Sequence, residues 1–205
     1  MAFLTRSIAI EWIASLDPSA TAENDVIDRL LTVVEAAVAQ YLGFPASSAG
    51  GTPTIEDVTY THYTGAGLAV VEDGASLMLS VYPVQSVTSV AEDSLWSYAT
   101  AKDAADYVLD GSIGRIDLTP GGSWGKASTG RRNVKVVYVA GYASVPAPIV
   151  QAGYMLLSRM FTLRRTQDKT SISEGGISIG MVLDAISPDV AKLLDPYRLL
   201  GAVTP

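Results

Sequence analysis

Apolar residues recur at helical spacing at both ends of this chain and at strand spacing through its middle. Near the N-terminus Ile8, Trp12 and Leu16 fall four apart on one face and predict a short helix from Ser7 to Leu16, which Asp17-Pro18 breaks. A longer helix follows. Glu23 and Asp25 lie in its first turn, where negative charge suits the helix dipole, and Val26, Leu30, Val34, Ala37, Val38 and Tyr41 form its apolar stripe. Gly43 is placed to end it in a left-handed conformation, and Pro45 prevents its continuation.

From Thr54 the period drops to two. Val58, Tyr60 and His62 alternate with Thr59, Thr61 and Tyr63, and Leu77, Leu79 and Val81 share a face. Val87 and Val90 stand less regularly among hydroxyl residues. Tyr107 and Leu109, Ile116 and Leu118, and Val134, Val136 and Tyr138 continue the alternation. Gly65, Gly67, Asp73-Gly74, Asp110-Gly111 and Gly121-Gly122 punctuate these runs as turns. Helix returns after Gly141-Tyr142, entered through Pro146 and Pro148, where a missing N–H costs nothing. Ile149 to Arg165 is apolar nearly all round in its first half, which predicts a central, buried helix. Thr166 to Gly180 is polar and glycine-rich and reads as a mobile loop, with Lys169, Gly175, Gly176, Ile177 and Ser178 as a candidate assembly element. Ser187-Pro188-Asp189 starts a last helix whose apolar face is Val190, Leu193 and Leu194. Beyond Arg198 the tail is apolar and uncharged, and Leu199, Leu200, Ala202 and Val203 are candidates for burial in a partner.

The order helices, strands, helices defines the expected fold class. It is α+β, with a small helical bundle core built from the N- and C-terminal helices and an inserted antiparallel β-rich region. The expected segments are 1–51 for the first helices, 52–140 for the β insertion, and 141–205 for the helices, loop and tail that complete the core.

Composition narrows the chemistry. The chain has 205 residues, of which 48% are hydrophobic and only 17% charged, so it can bury a real core. No apolar run approaches the ~20 residues of a membrane helix, and the N-terminus lacks a signal peptide's apolar segment, pointing to a protein made in the cytoplasm. There are no cysteines and a single histidine, His62, so thiolate chemistry and histidine-rich metal sites are out, and no cofactor is expected. Net charge −7 argues against a free-standing nucleic-acid binder.

The remaining motifs have plain explanations. Gly176-Ile177-Ser178-Ile179-Gly180 matches the nucleophile-elbow pattern, but that chemistry needs a strand before the serine, a helix after it and a later histidine. The only histidine lies upstream, so no enzyme is expected. Gly65-Ala66-Gly67 is too short for a phosphate loop and suits a hairpin turn. Asp103, Asp106, Asp110 and Asp117 lack calcium-loop spacing and read as solvated turns. Arg131, Arg132 and Lys135, and Arg159, Arg164, Arg165 and Lys169, form two small basic groups suited to phosphate, an acidic partner or solvent. Trp96 and Trp124 would bind sugar if exposed in a row, but filling a small β core is the better reading.

One ordered set of segments is more specific than any of these motifs. It runs Val38-Ala39-Gln40-Tyr41-Leu42-Gly43, then Leu77 to Val90, Asp106-Tyr107-Val108-Leu109-Asp110 and Gly114-Arg115-Ile116. It continues through Trp124, Asn133 to Tyr142, Val145-Pro146, Ile149-Val150-Gln151-Ala152 and Gly176-Ile177-Ser178-Ile179, and closes with Val190 to Arg198. With these segments the chain resembles the tailed-bacteriophage head-tail connector (adaptor) family, which includes HK97-type connectors and gene-transfer-agent adaptors. The resemblance implies a structural virion protein at the head-tail interface, assembled in the host bacterial cytoplasm. It implies a ring of neighbouring copies, dodecameric, under the portal protein. Such a ring extends the DNA channel and offers a platform to a stopper, a tail-completion protein or the next connector. DNA would pass through without being specifically bound, and no membrane is involved. Another phage ring, a stopper or tail terminator, and a carbohydrate- or receptor-binding virion module are the alternatives.

Overall fold

In the second helix apolar residues come in adjacent pairs, Val26-Ile27, Leu30-Leu31, Val33-Val34, Ala37-Val38 and Tyr41-Leu42, so two overlapping stripes compete for the core. The computed structural model describes residues 3–13, 21–46, 51–64, 76–93, 95–122, 124, 133–164, 171–174, 177–180 and 186–199, and it resolves that competition. Helices α1 (Arg6–Trp12) and α2 (Thr21–Leu42) precede strands β1 (Val58–Thr64), β2 (Ser76–Met78), β3 (Val84–Glu92), β4 (Tyr107–Asp110), β5 (Arg115–Leu118) and β6 (Val134–Ala140). Helix α3 (Ala147–Leu163), strands β7 (Ser171–Glu174) and β8 (Ile177–Gly180), and helix α4 (Pro188–Leu194) complete the chain. The α+β class expected from the pattern is borne out.

The chain folds as two compact units, Met1–Phe44 with Val145–Pro205, and Pro45–Ser144. In the first unit α3 is central and touches α1, α2 and α4. Ile149, Ala152, Leu156, Leu157 and Phe161 bury its core side. The buried stripe of α2 is Ile27, Leu31, Val34, Val38 and Leu42, with spacings of four and three. It shares only Val34 and Val38 with the stripe expected from sequence; at two of the pairs, Val26-Ile27 and Ala37-Val38, the bulkier neighbour faces inward. Helix α1 differs in the same way. Ala9 and Ile13 are buried, while Ile8 and Trp12 are part-exposed and Trp12 stacks on Tyr154 at 5.9 Å between ring centroids. The small side of α1 turns inward, and Leu4 lies close against α3 at Gly153, where a Cβ would sit 3.0 Å from the leucine methyl. The Leu4 N–H donates to Glu35 (2.9 Å) and the Thr5 N–H to the Tyr154 hydroxyl (2.8 Å), which pin this segment. At the far end of α3, Arg164 pairs with Glu23 and covers the Phe161 ring.

The second unit holds two three-stranded antiparallel sheets, ordered β1-β6-β3 and β2-β5-β4. Strand β6 is the middle strand of the first, and Val134, Val136, Tyr138 and Ala140 are all buried on one face. Their alternation with Lys135, Val137 and Val139 is the clean period of a half-covered strand. Strand β3 pairs with β6 through two register shifts, between Val84 and Ser86 and between Val87 and Ser89. Those bulges are why Val87 and Val90 break the alternation in the sequence. At the base of the unit the Tyr142 N–H donates to the Ile55 carbonyl (2.8 Å) and Glu56 bridges Tyr142, so the segments entering and leaving lie side by side.

The loop expected over Thr166 to Gly180 requires a correction. Ser171–Glu174 and Ile177–Gly180 pair as an antiparallel hairpin, with Ile172 opposite Ile179 and Ser173 opposite Ser178. The physical reason is in the residues. Isoleucine and serine alternate on both sides of Gly175-Gly176, a two-residue connection suited to a tight hairpin. Leu16, Gly65 to Gly67, Asp73-Gly74, Arg131, Arg132, Arg165, Lys169, Gly175, Gly176, Leu200, Ala202 and Val203 lie outside the described residues.

Candidate functional site

In the first unit α3 carries a second face opposite its core. Met155, Ser158, Arg159, Thr162 and Leu163 recur three and four apart, and with Trp12 of α1 they line an open groove of about 420 Å³. Its lining is mostly apolar, with Trp12, Met155 and Leu163, and Arg159 places a cation among the lining residues. The sequence left Arg159 as part of a basic group; the fold places it on the same groove as Trp12.

At the end of the same unit Leu199 is only 5% exposed, and its N–H donates to the Leu42 carbonyl (2.9 Å), one of the last carbonyls of α2. Leu199 is therefore a core residue of its own subunit, which corrects its expected place in a partner-binding tail. Tyr41 donates to Asp195 (2.7 Å) and Arg198 lies over the Tyr41 ring, so the C-terminal segment is tied down up to Leu199.

In the second unit the loop after β3 is organised by one carboxylate. Asp93 accepts the N–H groups of Leu95 (2.8 Å), Ser97 and Tyr98 (both 3.1 Å) and the Ser97 hydroxyl. These bonds, the serine hydroxyl foremost, hold the Asp93 carboxyl down at about 2. The loop places Trp96 (φ 63°) and Tyr98 (φ 49°) in the left-handed region, which bulky residues seldom adopt. Leu95 is 86% exposed and Trp96 62%, while the Trp96 indole N–H donates to Asn133 (3.2 Å). Trp124 is the opposite case, buried beneath the Lys102 ammonium, so the two tryptophans do not form an aromatic row.

The other sequence candidates are engaged locally. Asp110 accepts from the Ser112 N–H and hydroxyl within a turn, and Asp117 pairs with Arg115. Among the described residues no group of three acidic or histidine side chains could hold a metal ion. Lys135 lies over the Tyr98 ring. Ser178 occupies a ladder position in β8 opposite Ser173, not the strand-to-helix turn that exposes a nucleophile.

His62 sits on β1 opposite Val136, with Nδ1 3.3 Å from the Ser80 hydroxyl, which in turn lies 3.5 Å from the Tyr138 hydroxyl. Its Nε2 is buried without a hydrogen-bond partner among the described residues, and burial lowers the imidazole below its usual 6.5. The folded chain thus keeps His62 neutral at a pH where the unfolded chain protonates it, and unfolding takes up a proton. This group contributes full stability above about pH 7, and the contribution is lost as pH falls through 6.5 toward the lower folded value. The expected result is a smaller drop in melting temperature between pH 7 and 5 for His62→Gln than for the wild type. Parallel melting curves for the two proteins would refute the assignment.

The fold and these surfaces describe a subunit with exposed contact features and no assembled catalytic constellation among the described residues. A family model described as "Head completion protein" matches residues 8–200. The chain belongs to the head completion protein family, and the resemblance to phage head-tail connectors is borne out at that level. Three solved structures share its fold. One is from the virion of a native gene transfer agent particle, 18% identical with TM-score 0.59, covering 97% of this chain and 91% of that one. Another is from the neck of an empty gene transfer agent particle computed with C6 symmetry, 20% identical with TM-score 0.55, covering 96% and 91%. The third, from the neck of a native particle computed with C12 symmetry, is 18% identical with TM-score 0.50, covering 98% and 94%. No curated protein matches the chain.

Proposed function

We propose that this head completion protein is a head-to-tail connector subunit. It forms a ring of neighbouring copies, twelve in number, beneath the portal protein. The ring extends the DNA channel and presents a platform to a stopper or tail-completion protein, and DNA passes through without specific binding. The observation that carries this reading is the family match over residues 8–200. It is supported by a fold shared nearly end to end with subunits of gene transfer agent particles. Ring closure around a channel requires head-to-tail contacts between two different surfaces of one chain. Light scattering and electron microscopy of the protein mixed with the portal protein of the same particle test it. Rings that form on portal are expected; a stable closed dimer that ignores portal would rule the reading out.

The subunit acts without catalysis. Ser178 has a strand-ladder position, and the chain's single histidine, His62, lies far upstream in the sequence. A fluorophosphonate probe should leave it unlabelled, and covalent labelling of Ser178 would overturn this.

A further inference from the structure

We infer that the Leu95-Trp96 loop of one copy seats in the α1–α3 groove of the next copy, and that this is a contact that closes the ring. The inference rests on the ring reading above and names surfaces that reading leaves open. It starts from an expense. Two bulky residues, Trp96 and Tyr98, are held at positive φ, and Asp93 spends its hydrogen bonds on keeping them there. Strain of this kind persists only where surrounding contacts enforce it, and it collects at binding and switch segments. Its result here is to project a leucine and a tryptophan into solvent on a loop already ordered, which lowers the entropic cost of docking them. Fixing the indole N–H on Asn133 sets the ring's orientation without covering it.

The groove is the complementary object. Trp12, Met155 and Leu163 offer an aromatic and flexible apolar lining, and about 420 Å³ is room for an indole and part of a leucine. Charge matches as well as shape. Arg159 among the lining residues meets an indole face, a pairing of cation and aromatic ring. Asp93, beside the loop tip, stays anionic throughout the physiological range and complements the same arginine. Loop and groove are different surfaces on different units of one chain, as a head-to-tail contact requires. The area also fits. One tryptophan and one leucine bury a few hundred Å², well below the ~1,600 Å² of a stable complex, so a single contact is weak and a closed ring accumulates many.

The absence of cysteine makes the test direct. Leu95 and Thr162 are both exposed, so Leu95→Cys and Thr162→Cys place one thiol each on loop and groove. The full-length variants are oxidised with copper phenanthroline at rising concentration, alone and with portal protein. Leu95→Cys mixed with Thr162→Cys should give a disulfide dimer that neither gives by itself, and the double variant a ladder ending in a closed ring. In cysteine-free chains Trp96→Ala should weaken assembly by about thirtyfold, the scale of a hot-spot tryptophan, with unchanged melting. Leu95→Asp, which leaves the strained positions alone, should act in the same direction. A disulfide within one chain, or self-crosslinking of Leu95→Cys as efficient as the mixed reaction, would overturn the inference. So would rings that form without the mixed crosslink, or that form equally well with Trp96→Ala. Those outcomes leave the connector reading standing, whereas a failure to form any ring on portal removes both.

Discussion

Gly141→Ala is expected to destabilise the protein by about 3 kcal/mol or more, an effect at the upper end for a single methyl group. Gly141 has φ +121°, where an L side chain is strained whatever space surrounds it, and here there is none. A Cβ would lie 2.2 Å from the Glu56 carbonyl oxygen and 2.5 Å from its carbon, both backbone atoms that no rotamer change moves. Relief requires separating the two segments at the base of the β unit. That sacrifices the Tyr142–Ile55 hydrogen bond and the bonds of Gly141 to Pro83 and Gln85. Chemical denaturation followed by far-ultraviolet dichroism measures the loss. A variant within 1 kcal/mol of wild type would mean the segments separate without penalty, and the packing described at Gly141 would be wrong.

Stepwise truncation of the C-terminus should separate folding from docking. Removing Leu200–Pro205 is expected to leave thermal melting unchanged and to abolish binding to portal. We propose that Leu200, Ala202 and Val203 form the contact, many weak tails acting together around a ring. Removing Leu199 as well should cost roughly 1.5–3 kcal/mol of stability, the value of a buried leucine, because Leu199 belongs to the subunit core and occupies the Leu42 carbonyl. Surface-immobilised portal and a melting curve of each truncation provide the readouts. If the protein lacking Leu200–Pro205 still docks with unchanged affinity, the tail is not the portal contact.

What the sequence made legible followed the strength of its periodicity. Strand β6, with four buried residues in strict alternation, and α3, apolar nearly all round, were readable because a single face or none had to be chosen. Helix α2 was legible as a helix but not in rotation, since five adjacent apolar pairs offered two stripes and only packing against α3, α1 and α4 selects one. The hairpin of β7 and β8 had a signal, isoleucine-serine alternation about Gly175-Gly176, that the polar composition of the region outweighed. The Asp93 loop had none. Its order comes from backbone N–H groups gathered on one carboxylate, and residue types alone do not announce which carbonyl or carboxylate a backbone donor will find. Trp96 and Trp124 carried the same prior and went opposite ways, one exposed at that loop and one buried beneath Lys102.

The adjacency of Ile55-Glu56 with Gly141-Tyr142 has a consequence for how the helical unit comes together. Helices α2 and α3 must find each other across the excursion from Pro45 to Ser144, a long loop to close. Once the β unit is folded, its clasped base shortens the effective tether to residues 43–54 on one side of the clasp and 143–146 on the other. The entropic cost of loop closure then falls by roughly 1–2 kcal/mol, because the loop left to close is several times shorter. The β unit is thus a folding template for the very bundle that interrupts itself to contain it. A change at the clasp would therefore be felt in the closure of α2 on α3.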